Sequence, residues 1–247
     1  MPAQVASFQR DGFLVVRRLF GASDMAEIRR WTDEVQRWPE TAGRHMMYFE
    51  QSNAGQRLLN RLENVLPYHE GFRRIATSTE LQGACGQLLG EPAVLFKDKI
   101  NFKLPGGGGF EAHQDVQAGW ARYAGLHITV LVTVDRATVA NGCLEVATDF
   151  RGSHTLIGQE WEPLNAGQLA GLHWTFVEAE PGDAVFFDSF IPHRSAANLT
   201  RDPRRVLYYT YNKSAAGDHL ARYYADKRAS YPPDIEREPG REYRYRV

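Results

Sequence analysis

The sequence predicts a mainly β protein: a jelly roll of two facing sheets behind an N-terminal helical layer. Three observations carry this. Helical spacing of apolar residues is confined to about the first 92 positions. From Val94 onward the period changes to two, in several short runs. Each run is bounded by Gly, Pro, Asn or Asp, which is how many short strands close into a double-sheet roll. A chain of 247 residues suits one such domain. The expected organisation is a helical layer over about 1–92, a jelly-roll core over about 93–213 and a C-terminal arm over about 214–247.

The elements follow in order. Asp24 with Glu27 predicts a helix N-cap pair. Ile28, Trp31, Val35 and Trp38 then recur at helical spacing, and Pro39 ends the pattern. "MMYFE" at 46–50 reads equally well as loop or strand. Leu58, Leu62, Val65 and Leu66 predict a second amphipathic helix. Thr79 with Gln82 opens a third, carrying Leu81, Cys85, Leu88 and Leu89 and closing at Gly90, with Pro92 beyond. "VLFKDKINFKL" is a strand, broken by Pro105 and the four glycines 106–109. "LHITVLVTVD", "NGCLEV", "WTFVEA", "DAVFFD" and "RVLYYTY" complete the strand set. The proline-rich, charged tail "YPPDIEREPGREYRYRV" is expected to cross the surface as an ordered arm.

Composition narrows the partners. With 43% apolar and 12% aromatic residues the chain can build a core, and a net charge of -1 argues against nucleic acid or a membrane surface. Cys85 and Cys143 lack metal-type spacing and read as reduced thiols. The apolar run Phe13–Val16 is too short for a leader. These features predict a cytoplasmic protein, a monomer or small homo-oligomer, whose partner is a small molecule.

The chemistry concentrates in two clusters. His113 and Asp115, in "GFEAHQDVQAGW", are two apart, and on a strand they point to one side. His193 follows in "FIPHRSAANLTRDPRR". Two imidazoles and a carboxylate on one face of a metal leave the opposite positions open, the facial triad of non-haem Fe(II) oxygenases. A lone His-Xaa-Asp is common by chance. The second cluster raises its weight, because Arg204 stands eleven residues beyond His193. A guanidinium fork matches a carboxylate bidentately and would hold the distal carboxylate of 2-oxoglutarate, leaving a metal position for O2. Ser195 points the same way as His193, and Thr129 is within expected reach of the co-substrate.

Lys97, Lys99, Asn101 and Lys103 alternate with Phe96, Asp98, Ile100, Phe102 and Leu104, so period two puts three lysines and an asparagine on one face. If that face looks inward, its cations need anionic partners: 2-oxoglutarate and a negatively charged substrate. Tyr208 shares parity with Arg204 and is expected in the pocket, whereas Tyr209 and Tyr211 read as core packing. His127 is expected to face or cap the pocket, and His154 to be a structural or rim residue, not a fourth ligand. His45, His69, His173 and His219 read as surface residues, and Arg222 and Lys227 as a solvated face.

The spaced set "HQD", "NGCLEV", "GSH", "PGD" and "HRSAAN", with Arg204, resembles the phytanoyl-CoA dioxygenase family of Fe(II)/2-oxoglutarate oxygenases over roughly Phe8 to Asn212. The resemblance implies a double-stranded β-helix, cupin-like core. It implies His113, Asp115 and His193 as iron ligands, with Arg204 and Ser195 as 2-oxoglutarate contacts. "KINFKLPG" is similar to a strand of the ectoine hydroxylases in this family, which implies Asn101 at 2-oxoglutarate and Lys97 and Lys99 toward substrate. Trp120 resembles their pocket tryptophan but stands one residue further from the histidine. The lysines argue against ectoine itself. "FKDKINFKLPGGGGFEAHQDVQAGW" and "ARYYADKRASYPPDIEREPG" are similar to the 2-aminoethylphosphonate dioxygenases of the family. That likeness implies hydroxylation at the carbon next to phosphorus, in phosphonate catabolism. A phosphonate would suit Lys97 and Lys99, with Lys103 on the same face. Its amine would look to Glu50, Tyr48, Trp120 or Tyr208. The alternatives are a hydroxylase of another small metabolite, a cupin-like enzyme using another metal, and a jelly-roll binding protein without turnover.

Overall fold

The computed structural model describes residues 2–52, 54–149 and 154–243. Its helices are α1 (Pro2–Asp11), α2 (Ala22–Gln36), α3 (Glu70–Ala76), α4 (Ala84–Leu89), α5 (Ala166–Leu169) and α6 (Leu220–Ser230). Its strands are β1 (Phe13–Val16), β2 (Met46–Gln51), β3 (Arg57–Glu63), β4 (Ala93–Lys103), β5 (Phe110–His113) and β6 (His127–Thr133), then β7 (Leu144–Ala147), β8 (Trp174–Val177), β9 (Ala184–Asp188), β10 (His193–Ser195) and β11 (Arg204–Lys213). They form a seven-stranded sheet, in the order β1-β9-β6-β11-β4-β3-β2, and a four-stranded sheet, β5-β10-β7-β8. Every pairing is antiparallel, and the architecture is the expected mainly β jelly roll.

Two apolar layers explain the arrangement. On the outer face of the large sheet, Ile100, Phe102, Val130, Val132, Leu207 and Tyr209 pack against Ile28 and Val35 of α2, Phe72 of α3 and Leu81 and Cys85 around α4. Fully burying side chains of this size stabilises the fold by about 1.5–3 kcal/mol each. Between the sheets, Leu131, Leu144, Val146, Val185, Phe187 and Val206 form a smaller core. The cleft opens beside it. Gly71 marks the tightest helix contact, since a Cβ there would fall 2.7 Å from the Trp31 ring.

Several local expectations change. The segment carrying Leu58 and Leu62 is strand β3, not a helix, and β2 pairs with it. Leu58, Leu59, Arg61, Leu62 and Glu63 are all buried, so both strand faces are covered and the apolar pattern imitates helical spacing. The region up to residue 92 therefore mixes helices with three strands of the large sheet. Helix α2 begins earlier than Asp24. Gly21 is its N-cap, and the Asp24 carboxylate accepts from the Gly21 amide at 3.2 Å. The third helix opens at Ser78 with a π turn and closes at Gly90, whose φ of 77° is left-handed, as a C-terminal glycine allows. His45 is buried rather than at the surface, its Nε2 3.1 Å from the Pro39 carbonyl and its ring against Trp38. His69 is half-buried and caps α3 by accepting from the Phe72 amide.

The β4 alternation also breaks once. Lys97 pairs with Thr210 but Leu95 pairs with Tyr211, so Phe96 is the extra residue of a β-bulge. It leaves the outer face and packs among Trp120, Tyr123, His127 and Tyr223. After β11 the chain forms α6, buries Tyr223, Tyr224 and Lys227, and stacks Tyr231 on Tyr48 of β2. Among the described residues, no helix is long and apolar enough to cross a membrane.

Candidate active site

Strand pairing assembles the centre of the site. His193 of β10 lies directly opposite His113 of β5, so both side chains leave the sheet on one face, with ring centroids 4.3 Å apart. Asp115 is not on the strand. It opens a short 3-10 turn just past β5, whose Val116 amide is held by the Ser189 carbonyl. Gln114 turns away as expected and ties this turn to Thr155, Ile157 and Phe190. The ligand atoms of His113, Asp115 and His193 all lie within 4.8 Å of one another, the one such group found among the described residues.

The donor set fits a divalent iron. His113 Nδ1 contacts the Glu111 carbonyl at 2.6 Å and His193 Nδ1 contacts the Ile191 carbonyl at 3.1 Å. A carbonyl only accepts, so each Nδ1 carries the proton and each Nε2 offers a lone pair. Thr129 donates to Asp115 Oδ2 at 3.1 Å, fixing the carboxylate. Burial alone would raise the Asp115 carboxyl, but His193, His113, Lys99 and Lys97 hold it below its ordinary value. Burial and then His193 push His113 down to about 3, which keeps that imidazole neutral and able to ligate.

The triad lines a cleft that is partly open to solvent. Of the predicted residues, Lys97, Lys99, Asn101, Trp120, Thr129, Ser195 and Tyr208 line it with the triad. Register explains this. Lys99 opposes Tyr208 and Lys97 opposes Thr210 across β4 and β11, and directly opposed residues share a face. Lys99 Nζ stands 4.4 Å from the Tyr208 ring centroid. Burial, with Lys97 beside it, pushes Lys99 down to about 7. Asn101 Oδ1 and Trp120 Nε1 are buried polar atoms with no hydrogen-bond partner in the protein, as suits groups that meet a ligand.

Arg204 lies just behind the lining, 2% exposed and opposite Lys103. Its Nε has no hydrogen-bond partner, and no carboxylate among the described residues forms an ion pair with it. A buried guanidinium without a counter-charge fits a ligand carboxylate, the chemistry that 2-oxoglutarate brings. Arg205 faces the other way, onto Asp33 and Asp135.

Two expectations are corrected here. Lys103 does not line the cleft. Its ammonium donates to Ser195 Oγ at 2.7 Å, to the Ala196 carbonyl and to the Gly142 carbonyl at 3.4 Å. Thr129 lines the cleft as expected, and its hydroxyl also meets Asp115 and, at 3.0 Å, Thr210. Glu50 and Tyr48 are outside the lining: Glu50 accepts from the Gly108 amide and Tyr48 donates to the Tyr231 carbonyl.

Sequence reasoning missed a fully buried charge. Glu63 of β3 is 0% exposed and opposes Lys99. Its carboxylate is 3.1 Å from Arg61 Nε, 3.9 Å from Lys97 Nζ and 2.5 Å from Lys227 Nζ. Lys227, expected on a solvated face, is thus buried. Burial would raise Glu63, but Lys227, Lys97, Arg61 and Lys99 together hold it far below the carboxylate range. The available signal was the pair Arg61 and Glu63 at strand spacing, hidden by the helical reading of β3. Arg194, Phe110, Leu144 and Phe187 also line the cleft and were not singled out.

A jelly roll that brings two histidines and an aspartate together at a cleft defines the class of non-haem iron oxygenases. The model of the phytanoyl-CoA dioxygenase family matches residues 8–206. A 2-aminoethylphosphonate dioxygenase of an uncultured bacterium is 40% identical over 97% of this chain and 92% of its own. A methylphosphonate hydroxylase of Gimesia maris is 38% identical over 93% of this chain and 87% of its own. Among solved structures, EctD from S. alaskensis with 2-oxoglutarate and 5-hydroxyectoine superposes with a TM-score of 0.74 at 21% identity, covering 87% of this chain and 77% of its own. The chain belongs to the phytanoyl-CoA dioxygenase family and is an Fe(II)- and 2-oxoglutarate-dependent dioxygenase.

Proposed function

We propose that this enzyme hydroxylates a small phosphonate, with 2-aminoethylphosphonate the leading candidate, at the carbon next to phosphorus. One observation carries the reading: Lys97 and Lys99, side by side on one face of β4, line the cleft together with the triad. Two ammonium groups facing the metal ligands suit an anionic substrate. The two phosphonate-named relatives support the same choice.

In this reading His113, Asp115 and His193 hold Fe(II), and Arg204 with Ser195 and Asn101 holds 2-oxoglutarate. Lys97 and Lys99 take the phosphonate, with Trp120 and Tyr208 against its carbon chain. Bound iron and 2-oxoglutarate supply the oxidising chemistry, in which O2 is consumed, succinate and CO2 leave and one oxygen atom enters the substrate. The carbonyls of Glu111 and Ile191 hold the two imidazoles in the ligating tautomer. Thr129 keeps Asp115 oriented, and Phe110, Leu144 and Phe187 exclude water from the reacting carbon. Fixing that carbon near the metal decides which C–H bond reacts.

A second reading, a phosphonate without an amine, is favoured by one feature: among the described residues, Asp115 is the one acidic side chain in the cleft lining. The chain acts as one domain, a monomer or small homo-oligomer, in the cytoplasm, where its buried free cysteines stay reduced. A succinate-release screen with Fe(II) tests the substrate. It compares 2-aminoethylphosphonate, methylphosphonate, betaines and acyl-CoA thioesters. Turnover confined to phosphonates is expected; clear turnover of another class with none of phosphonates overturns the reading.

A further inference from the structure

Helix α6 lies beyond residue 206, where the family match ends, yet its side chains reach the lysines of the cleft. Two contacts do this, one at Asp98 and one at Glu63. Strand β3 stops pairing with β4 at Glu63 and Lys99. Past that point the Tyr224 hydroxyl takes over the strand's role. It lies 3.0 Å from the Asp98 amide and 2.6 Å from the Asp98 carbonyl, and 2.9 Å from the Asp98 carboxylate. The same carboxylate accepts from the Val65 amide at 2.6 Å, so the end of β3 and α6 are joined at one residue of β4. Lys97 and Lys99 flank that residue. The second contact is Lys227, whose ammonium meets Glu63 Oε2 at 2.5 Å, the oxygen that also stands 3.9 Å from Lys97 Nζ. Tyr223 of α6 completes the frame, its ring centroid 5.4 Å from Lys97 Nζ, as is that of Trp120.

Two cations share one carboxylate oxygen at unequal distances. Lys227 occupies it closely and Lys97 stands off, toward the cleft. Without the Lys227 charge, Glu63 would draw Lys97 inward and away from an incoming anion.

We propose that α6 is the substrate-specificity element of this enzyme, with Lys227 and Tyr224 as positioning residues that hold Lys97 toward the cleft without touching substrate. The proposal rests on the reading of the substrate as a phosphonate bound at Lys97 and Lys99. Lys227 acts through Glu63, and Tyr224 acts through the backbone of Asp98.

The test is anaerobic calorimetric titration of 2-aminoethylphosphonate and methylphosphonate into protein loaded with Fe(II) and 2-oxoglutarate, with 2-oxoglutarate affinity measured separately. Lys227→Gln keeps a hydrogen-bond donor for Glu63 and removes the charge. It is expected to weaken phosphonate binding at least about tenfold, with 2-oxoglutarate affinity held within about twofold. The double variant Glu63→Gln, Lys227→Gln removes the pull on Lys97 along with the competitor, and is expected to regain most of the lost affinity. A purely structural Lys227 gives the opposite ordering, with the double variant no better than the single. Tyr224→Phe leaves every charge in place and carries the test alone if Lys227→Gln does not fold; it should weaken phosphonate binding about threefold and spare 2-oxoglutarate. Phosphonate affinity unchanged in Lys227→Gln, or in Tyr224→Phe where that carries the test, overturns the proposal. So does equal loss of both ligands, or a double variant without recovery. A wild-type enzyme that binds no phosphonate overturns the substrate reading instead, and is seen before any variant is made.

Discussion

The two ends of the β4–β11 strand pair carry cations in different ways. At one end, Lys103 and Arg204 stand side by side without a carboxylate between them, and Lys103 spends its protons on neutral oxygens. At the other end, Lys97 and Lys99 belong to a cluster organised around Glu63. Lys97 and Lys99 line the cleft with the triad, whereas Lys103 does not. Under the proposed reading the Arg204 end takes the carboxylate of 2-oxoglutarate and the Lys97–Lys99 end takes the substrate anion.

Breaking the centre has the largest expected effect on both ends. His113→Ala removes a ligand whose neutral Nε2 the fold prepares; Fe(II)-dependent succinate release should fall to background, and the visible absorption of the anaerobic Fe(II)–2-oxoglutarate mixture should disappear. Glu63→Gln attacks one end alone. Leaving three close cations buried without their carboxylate should cost about 3–5 kcal/mol of stability in urea denaturation. Lys103→Met, at the other end, should cost no more than about 1–2 kcal/mol, the scale of its hydrogen bonds. A Lys103 variant as damaged as Glu63→Gln would erase the contrast.

Ligand affinities sharpen it further. Arg204→Ala should raise the 2-oxoglutarate Kd by about ten- to a hundredfold, the worth of charged hydrogen bonds, with phosphonate Kd changed far less. Lys99→Ala should do the reverse and raise phosphonate KM about tenfold. A separate effect is in pH. Burial, with Arg204 beside it, pushes Lys103 down to about 6 from 10.5. The unfolded chain keeps that proton up to about 10.5, so between these values it binds more protons than the fold. Stability then rises with pH through this group, and the stability gap between wild type and Lys103→Met should shift by that slope across pH 6 to 9.

Much of this was legible in the sequence, for physical reasons that differ by residue. His113, His193 and Arg204 belong to short motifs, and their strands expose them by simple parity. Lys97, Lys99 and Asn101 announce themselves because a polar face alternates with an apolar one. Asp115 was placed correctly at the centre but on the wrong element, because a turn can deliver a side chain where strand parity would also put it. Glu63, Arg61 and Lys227 were not legible. β3 is covered on both faces, which removes the alternation that marks a strand, and Lys227 is buried only because a carboxylate distant in sequence receives it. Long-range ion pairs of that kind leave no periodic trace.

The bulge at Phe96 has a consequence for how this chain tolerates changes of length. Its neighbours Leu95 and Lys97 already alternate across β11 as if Phe96 were missing. Removing this one residue would therefore leave the ladder and the lysines in step, and would delete only an aromatic wedge between Trp120, His127 and Tyr223. A single inserted codon is thus enough to have widened the strand into a brace for the cleft wall, and a single deleted one would slacken that wall while the sheet stays whole.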